Sequence, residues 1–496
     1  MSIDQALFNR ITFALPVQPF KVSAFISTEE RLPAVTEFVL RLLHTCGHVS
    51  LSAFRQYFGF SEAEALAVVE TLDRQGYVTL TEDELTLSED MRQRFEASPD
   101  NYPWVSKLKR RTDVVFFDLL SFSVLGRADF AFATANWVKL NPPPAMVGNS
   151  IEQARRAYRE SFVRIERATA RARGEERERS YGVHSIESID ARKPGFIPLT
   201  VSLEVDAKNT VTVKLPHEFE AGASLDLLSE FREGVAATLE AGTHNGEDGL
   251  QNFLDMFGLD FLRPYAPAAE LNAHKLAVDI ERGLDAPAGV QPMFGALYLQ
   301  RNRNVVLDQI HEARVSRRGK PVFLSSLSWL APNYALWGRG EDFKQSVESF
   351  RKAIRNTGKG DDLFIFDRAD ERQEHSVRSK FAGTGLVELH LLRHQPPSSK
   401  SWQDCLELIL YPGRFAVVMF HATSPSTPGA CLPFGFLSTQ PKHLRMVHQL
   451  MVDAGDGKYY GGRWAPSRDG TPKRMQSLFE ACTSLAYSDI QLSSTS

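Results

Sequence analysis

Apolar residues change their spacing along this 496-residue chain, and the changes limit the folds open to it. In the first hundred residues three short segments carry helical spacing. The first, Leu32 to Thr45, places Val35, Phe38, Val39 and Leu42 at helical spacing and ends near Gly47. The second, Leu51 to Phe58, follows Ser50 as an N-cap and stops at Gly59. The third, Glu62 to Arg74, starts after Ser61 and presents Leu66, Val69 and Leu72 before Gly76. Tyr77–Leu80 and Leu85–Leu87 then alternate about a polar stretch, as a small β-hairpin does.

From Pro321 the spacing changes to strand-length apolar runs alternating with amphipathic segments. Strands are predicted at Val322–Leu327, Leu363–Phe366, Val387–Leu392 and Phe434–Leu437, with a hairpin of Leu406–Tyr411 and Arg414–His421 around Pro412-Gly413. Helices are predicted at Glu341–Arg355, Glu371–Phe381 and Pro441–Asp453. Such alternation builds a partly parallel sheet with crossover helices. Between these regions, Ile197–Val205 and Thr210–Leu215 form a hairpin, and helical stripes follow to about residue 315. The expected fold class is therefore multidomain α+β: residues 1–100 a helical domain with a β-wing, 101–320 a basic, mainly helical middle with a β-hairpin, and 321–496 a C-terminal α/β sheet domain.

Several classes are excluded. No window holds 18 uncharged apolar residues, and the start lacks a basic region ahead of a long apolar one, so neither a membrane span nor export is expected. Four cysteines, at 46, 405, 431 and 482, show no Cys-x-x-Cys spacing. Their scarcity points to a reducing, cytoplasmic setting without a zinc site. No metal and no cofactor is expected.

Charge is segregated although the net value is only −4. Residues 1–100 hold 8 Lys+Arg and 15 Asp+Glu, and residues 101–180 hold 15 and 9. The third helical segment carries Glu62, Glu64, Glu70 and Asp73 against Arg74, which a polyanion would repel. Protein contact suits it better than groove reading. Three basic runs are candidates for phosphate contact: Lys107, Lys109, Arg110 and Arg111; Arg155, Arg156 and Arg159 on a long charged helix; and Arg314, Arg317, Arg318 and Lys320. Folded together, they are expected to line one groove.

Three short helices followed by a two-stranded wing, over about residues 30–95, resemble a winged helix-turn-helix. The order of strands and helices over about 321–453 resembles a phospholipase-D-like domain. That family signature, His-x-Lys-x4-Asp, is missing; the nearest string runs from His274-Lys275 to Asp279 with the wrong spacing. The resemblance implies a degenerate domain that keeps phosphate affinity, or dimerises, without hydrolysing anything. The combination resembles some prokaryotic regulators and proteins of phage-defence loci.

Other chemistry has weaker support. There is no Gly-x4-Gly-Lys-Ser/Thr loop, no His-Glu-x-x-His and no Gly-x-Ser-x-Gly. Glu388 and His390 alternate on one predicted strand, and Asp367, Asp370 and His394 follow strand ends where α/β ligands gather. These five are the candidate catalytic set should the chain cut phosphodiesters. The leading expectation is a non-catalytic, nucleic-acid-associated component of a bacterial assembly, binding DNA rather than RNA through the basic runs and a protein through the acidic wing domain. A phosphodiesterase or nuclease is the alternative, and a pure protein adaptor is the third.

Overall fold

The computed structural model describes residues 4–30, 32–97, 105–125, 130–132, 136–173, 179–241, 249–267, 270–315, 327–355, 363–369, 374–386, 388–393, 401–424, 426–427, 429–455 and 459–461. Helices and several sheets make it an α+β chain.

The longest strand comes first. β1 (Gln5–Glu30) is followed by a small helical unit: α1 (Ala34–Cys46), β2 (His48–Ser50), α2 (Leu51–Phe58), α3 (Glu62–Arg74), β3 (Val78–Thr81), β4 (Glu84–Leu87) and α4 (Glu89–Ala97). The start signals act as the sequence suggested. Ser50 accepts from the Ala53 N–H, and Ser61 with Glu64 forms a reciprocal capping box. Val39, Leu43, Phe54, Val69, Leu72, Leu85 and Phe95 close this unit's own core.

The chain then returns along β1. β5 (Val105–Asp118) pairs antiparallel with it from Glu30↔Val105 to Val17↔Asp118. The helical unit is thus an insertion at the tip of the β1–β5 ribbon, roughly 45 Å long at about 3.4 Å per residue. β6 (Val124–Leu125), β7 (Val138–Lys139), α5 (Pro144–Gly148), α6 (Ser150–Arg173), β8 (Arg179–Ala191), β9 (Gly195–Asp206) and β10 (Val211–Lys214) follow. β8 widens the ribbon to three strands along the other side of β1. It pairs the outer half of β1 and β9 the inner half, and the seven strands form one sheet. This corrects one expectation. Residues 5–30 belong to the middle sheet rather than to the helical unit; the middle region is mainly helical, and its strands extend beyond the expected hairpin into that sheet. Pro16 and Pro19 stand where β1 changes partners, near Val17, which faces both Gly195 and Asp118. A residue with no N–H to give is least costly at such a place.

α7 (His217–Gly222), α8 (Leu225–Ala241), α9 (Gly249–Phe257), α10 (Ala273–Glu281), β11 (Val290–Phe294), α11 (Gln300–Val315), β12 (Leu327–Leu330), α12 (Glu341–Arg355), β13 (Leu363–Ala369), α13 (Glu374–Lys380), β14 (Glu388–Arg393), β15 (Leu406–Tyr411), β16 (Phe415–Thr423), β17 (Cys431–Ser438), α14 (Pro441–Gly455) and β18 (Tyr459–Gly461) complete the chain. Their eight strands lie in the order β11-β17-β16-β15-β12-β13-β14-β18. β12, β13 and β14 are parallel, and β15–β17 form an antiparallel meander, so the mixed sheet is present as expected. β11 lies before residue 321 yet edges this sheet, and one hydrophobic cluster runs from Phe8 and Phe13 through Phe253 to Trp329 and Phe436. The expected boundary at residue 321 therefore divides a single core.

Candidate functional site

Parity along β13 and β14 separates the described members of the candidate catalytic set. Phe366 pairs with His390 and Asp367 with Leu391, so Asp367 and His390 project from opposite faces of the sheet. His390 is 2% exposed, with its ring stacked against Phe364 and Phe366 at 5.7 and 5.1 Å. Asp367 is 4% exposed, and its Oδ2 accepts from Lys380 Nζ at 2.8 Å. Glu388 stands in register with Phe364, while Asp370 and His394 lie outside the described residues. As a pair, Asp367 and His390 cannot pass a proton to each other or to a common substrate.

Arg368, one residue further along β13, turns to the other face, where it gives one bond to the Ala331 carbonyl at 2.9 Å and pairs with Asp404 at 3.1 Å. The Asp367 face carries its Lys380 partner. The Lys380 ammonium lies 4.9 Å from the centre of the Trp337 ring. Burial pushes the pKa of Lys380, Arg368 and Arg339 below their ordinary values, and nearby Asp367 opposes the shift in each case.

Beside it sits a cluster that the sequence reading missed. Glu407 on β15 is fully buried; its Oε1 accepts from the indole N–H groups of Trp329 and Trp337, both at 2.9 Å. Its Oε2 meets His421 Nε2 of β16 at 2.9 Å. Three donors on one carboxylate satisfy it where water does not reach. The available signal was a single acid inside Leu406–Leu410 and a single histidine ending Phe415–Phe420, each in an otherwise apolar strand. Phe343 and Phe350 of α12 pack on Trp329, closing this face. On the other face α9 and α14 pack, with Phe253 stacked on Phe420 and His443 against Phe436. The assembly locks layers together and offers no described side chain to a substrate.

The basic runs are placed on different surfaces. On β5, Arg110 and Arg111 point to opposite sides of the ribbon. Arg110 Nε bonds Glu187 at 2.7 Å across β1. Arg111 bonds Asp113 at 2.9 Å and also Glu166 of α6. Tyr158 of α6 donates to the same Asp113 at 3.0 Å, and burial pushes its pKa up. Lys109 is half-buried on the same strand, and Lys107 pairs in register with Thr28. α6 buries Ala154, Tyr158, Phe162 and Ile165 against the ribbon and turns Arg156, Arg159 and Val163 outward. Arg155 pairs with Glu152 at 3.7 Å and Arg156 with Glu160 at 2.8 Å. Arg159 has no carboxylate partner among the described residues. Arg314 lies in the last turn of α11, and Arg317, Arg318 and Lys320 fall outside the described residues. The single groove expected from the sequence is corrected for the first two runs. Arg111 is a structural tie under α6, Arg110 spans the opposite face, and the α6 arginines face solvent.

A groove of about 340 Å³ lies where Arg10, Thr12, Thr200, Ser202 and Lys214 meet the first turn of α12. Its two cations are already paired, Arg10 with Asp342 at 3.6 Å and Lys214 with Glu204 at 2.5 Å. In the helical unit, α3 turns Glu62, Leu66, Glu70 and Asp73 outward, and α1 exposes Val35 and Phe38. Among the described residues no group of three His, Cys, Asp or Glu side chains could hold a metal ion, and no helix is long and apolar enough to cross a membrane. No protein-family model matches the chain, and no curated protein matches it.

Proposed function

We propose that the chain is a non-catalytic binding component of a nucleic-acid-associated assembly, with phosphate contact along α6 and protein contact through the acidic unit of residues 32–97. The observation that carries this reading is the outward face of α6. Arg155 and Arg156 hold only solvent-screened surface ion pairs, and Arg159 adds a cation beside them. Phosphates can displace such partners because released counterions drive the exchange. The arginines of β5 contribute less, since Arg111 is committed to Asp113 and Glu166. The carboxylates around Leu66 on α3 support a protein partner for that unit in place of a DNA groove. Its three helices and wing, like the mixed sheet beyond residue 321, support the winged-helix and phospholipase-D-like resemblances as proposals of fold.

The test incubates the purified chain with single- and double-stranded DNA and RNA, with Mg²⁺, Mn²⁺ or EDTA. Retarded, uncut nucleic acid is the expected result. Cleavage abolished by His390→Ala would establish the nuclease reading instead, and no retention of any nucleic acid would overturn phosphate contact.

A further inference from the structure

β5 is paired with β1 along one side, while β6 covers only Phe116 and Phe117 on the other. From Arg110 to Val115 the second side of β5 has no strand partner among the described residues. A bare edge is a template for another strand, and proteins commonly guard such edges with charge. The cationic run on β5 is suited to that role. It also restricts what can add there.

We propose that this edge of β5 accepts an extended acidic segment of a partner protein as an added strand. A second copy of the chain suits the edge poorly, because antiparallel self-pairing sets arginine opposite or diagonal to arginine, and like charges across strands repel. An acidic strand reverses that sign on the face turned from α6, where Arg110 holds only its exposed bond to Glu187; Arg111, on the α6 face, is taken up by Asp113 and Glu166. The side turned from α6 presents Leu108, Arg110, Thr112 and Val114 in alternation, with Leu108 54% and Val114 50% exposed. The complementary strand therefore carries glutamate opposite Arg110 and apolar residues toward either end. Backbone bonds give the affinity and this alternation gives the choice of sequence. The inference is independent of phosphate binding on α6, which uses another surface.

The probe is a labelled synthetic peptide of valine, threonine and glutamate in that alternation, followed by fluorescence anisotropy on the full chain. Binding is expected. N-methylation of alternate backbone nitrogens should abolish it, and Arg110→Glu should weaken it about tenfold. A peptide with lysine in place of the facing glutamate should restore binding to R110E. Equal binding of the N-methylated peptide, or no effect of R110E, would overturn the proposal, as would failure of the parent peptide to bind. Displacement of the peptide by oligothymidylate from the wild-type chain, but not from an R155A/R156A/R159A variant, would also count against a separate surface. Hydrogen exchange of the free chain supplies a check that needs no variant. Within Arg110–Val115, alternate amides should exchange fast and become protected on peptide addition; uniform protection beforehand would mean the edge is already covered.

Discussion

Asp367 and His390 stand on neighbouring parallel strands, one step out of register, and face opposite sides of the sheet. That relationship separates the two candidate catalytic groups more firmly than distance would, because pleating fixes it. Each is then absorbed by its own layer, Asp367 by Lys380 and His390 by two phenylalanine rings.

The Glu407 cluster should be a main determinant of stability. Glu407→Ala leaves two indole N–H groups and one imidazole without an acceptor, at about 1–3 kcal/mol for each buried unsatisfied group. The loss should reach about 3 kcal/mol or more in urea unfolding, and Glu407→Gln should cost less because it keeps the acceptor for the indoles. A loss in Glu407→Ala no larger than for a surface change would contradict the geometry.

Lys380 and Asp367 form a buried pair, with side chains 4% and 6% exposed. Lys380→Met alone strands a carboxylate and should cost about 3–5 kcal/mol, whereas Lys380→Met with Asp367→Leu should recover most of that. A double-mutant cycle in thermal unfolding checks it, with additivity as the contrary result.

Burial lowers the pKa of His443, against the Phe257 carbonyl that accepts from its Nε2 and so favours the charged form; His448 is lowered by burial as well. Both groups bind protons more readily unfolded than folded. Their contribution is fully present above the ordinary value of 6.5 and is lost as pH falls from there through the depressed folded value. Unfolding midpoints taken downward from neutral pH should fall, and less steeply in His443→Gln. Equal slopes for the two proteins would contradict this.

Because Glu30 and Val105 face each other at the end of the ribbon, residues 31–104 can be replaced by a short Gly/Ser loop. The shortened chain should keep a cooperative thermal transition, since the unit's core is separate. Loss of cooperative unfolding would show that the insertion supports the sheet.

Much of this architecture was legible locally. Ser50, Ser61 and Gly59 marked helix ends because caps act within a few residues, and Phe343, Val347, Phe350 and Ile354 marked the buried face of α12 by spacing alone. What failed was long-range. β1 did not announce itself because Pro16 and Pro19 interrupt its pattern, and they are tolerated only through partners from distant parts of the chain. That the arginines of α6 share a long charged helix was readable, whereas the tie of Arg111 to Glu166 was not, since nothing local sets a β5 residue beneath a helix 55 positions on. Glu407 and His421 meet only through the register of β15 and β16.

The central claim is that α6 meets phosphate. It is tested most directly by the salt dependence of nucleic-acid affinity for the wild-type chain, R155A/R156A/R159A and R111A. The account predicts that the triple variant binds more weakly, with its log–log slope reduced by roughly 2–3, at about 0.9 for each duplex-DNA phosphate the variant no longer neutralises. R111A should keep the slope while lowering the unfolding midpoint. An unchanged affinity and slope in the triple variant would contradict the account.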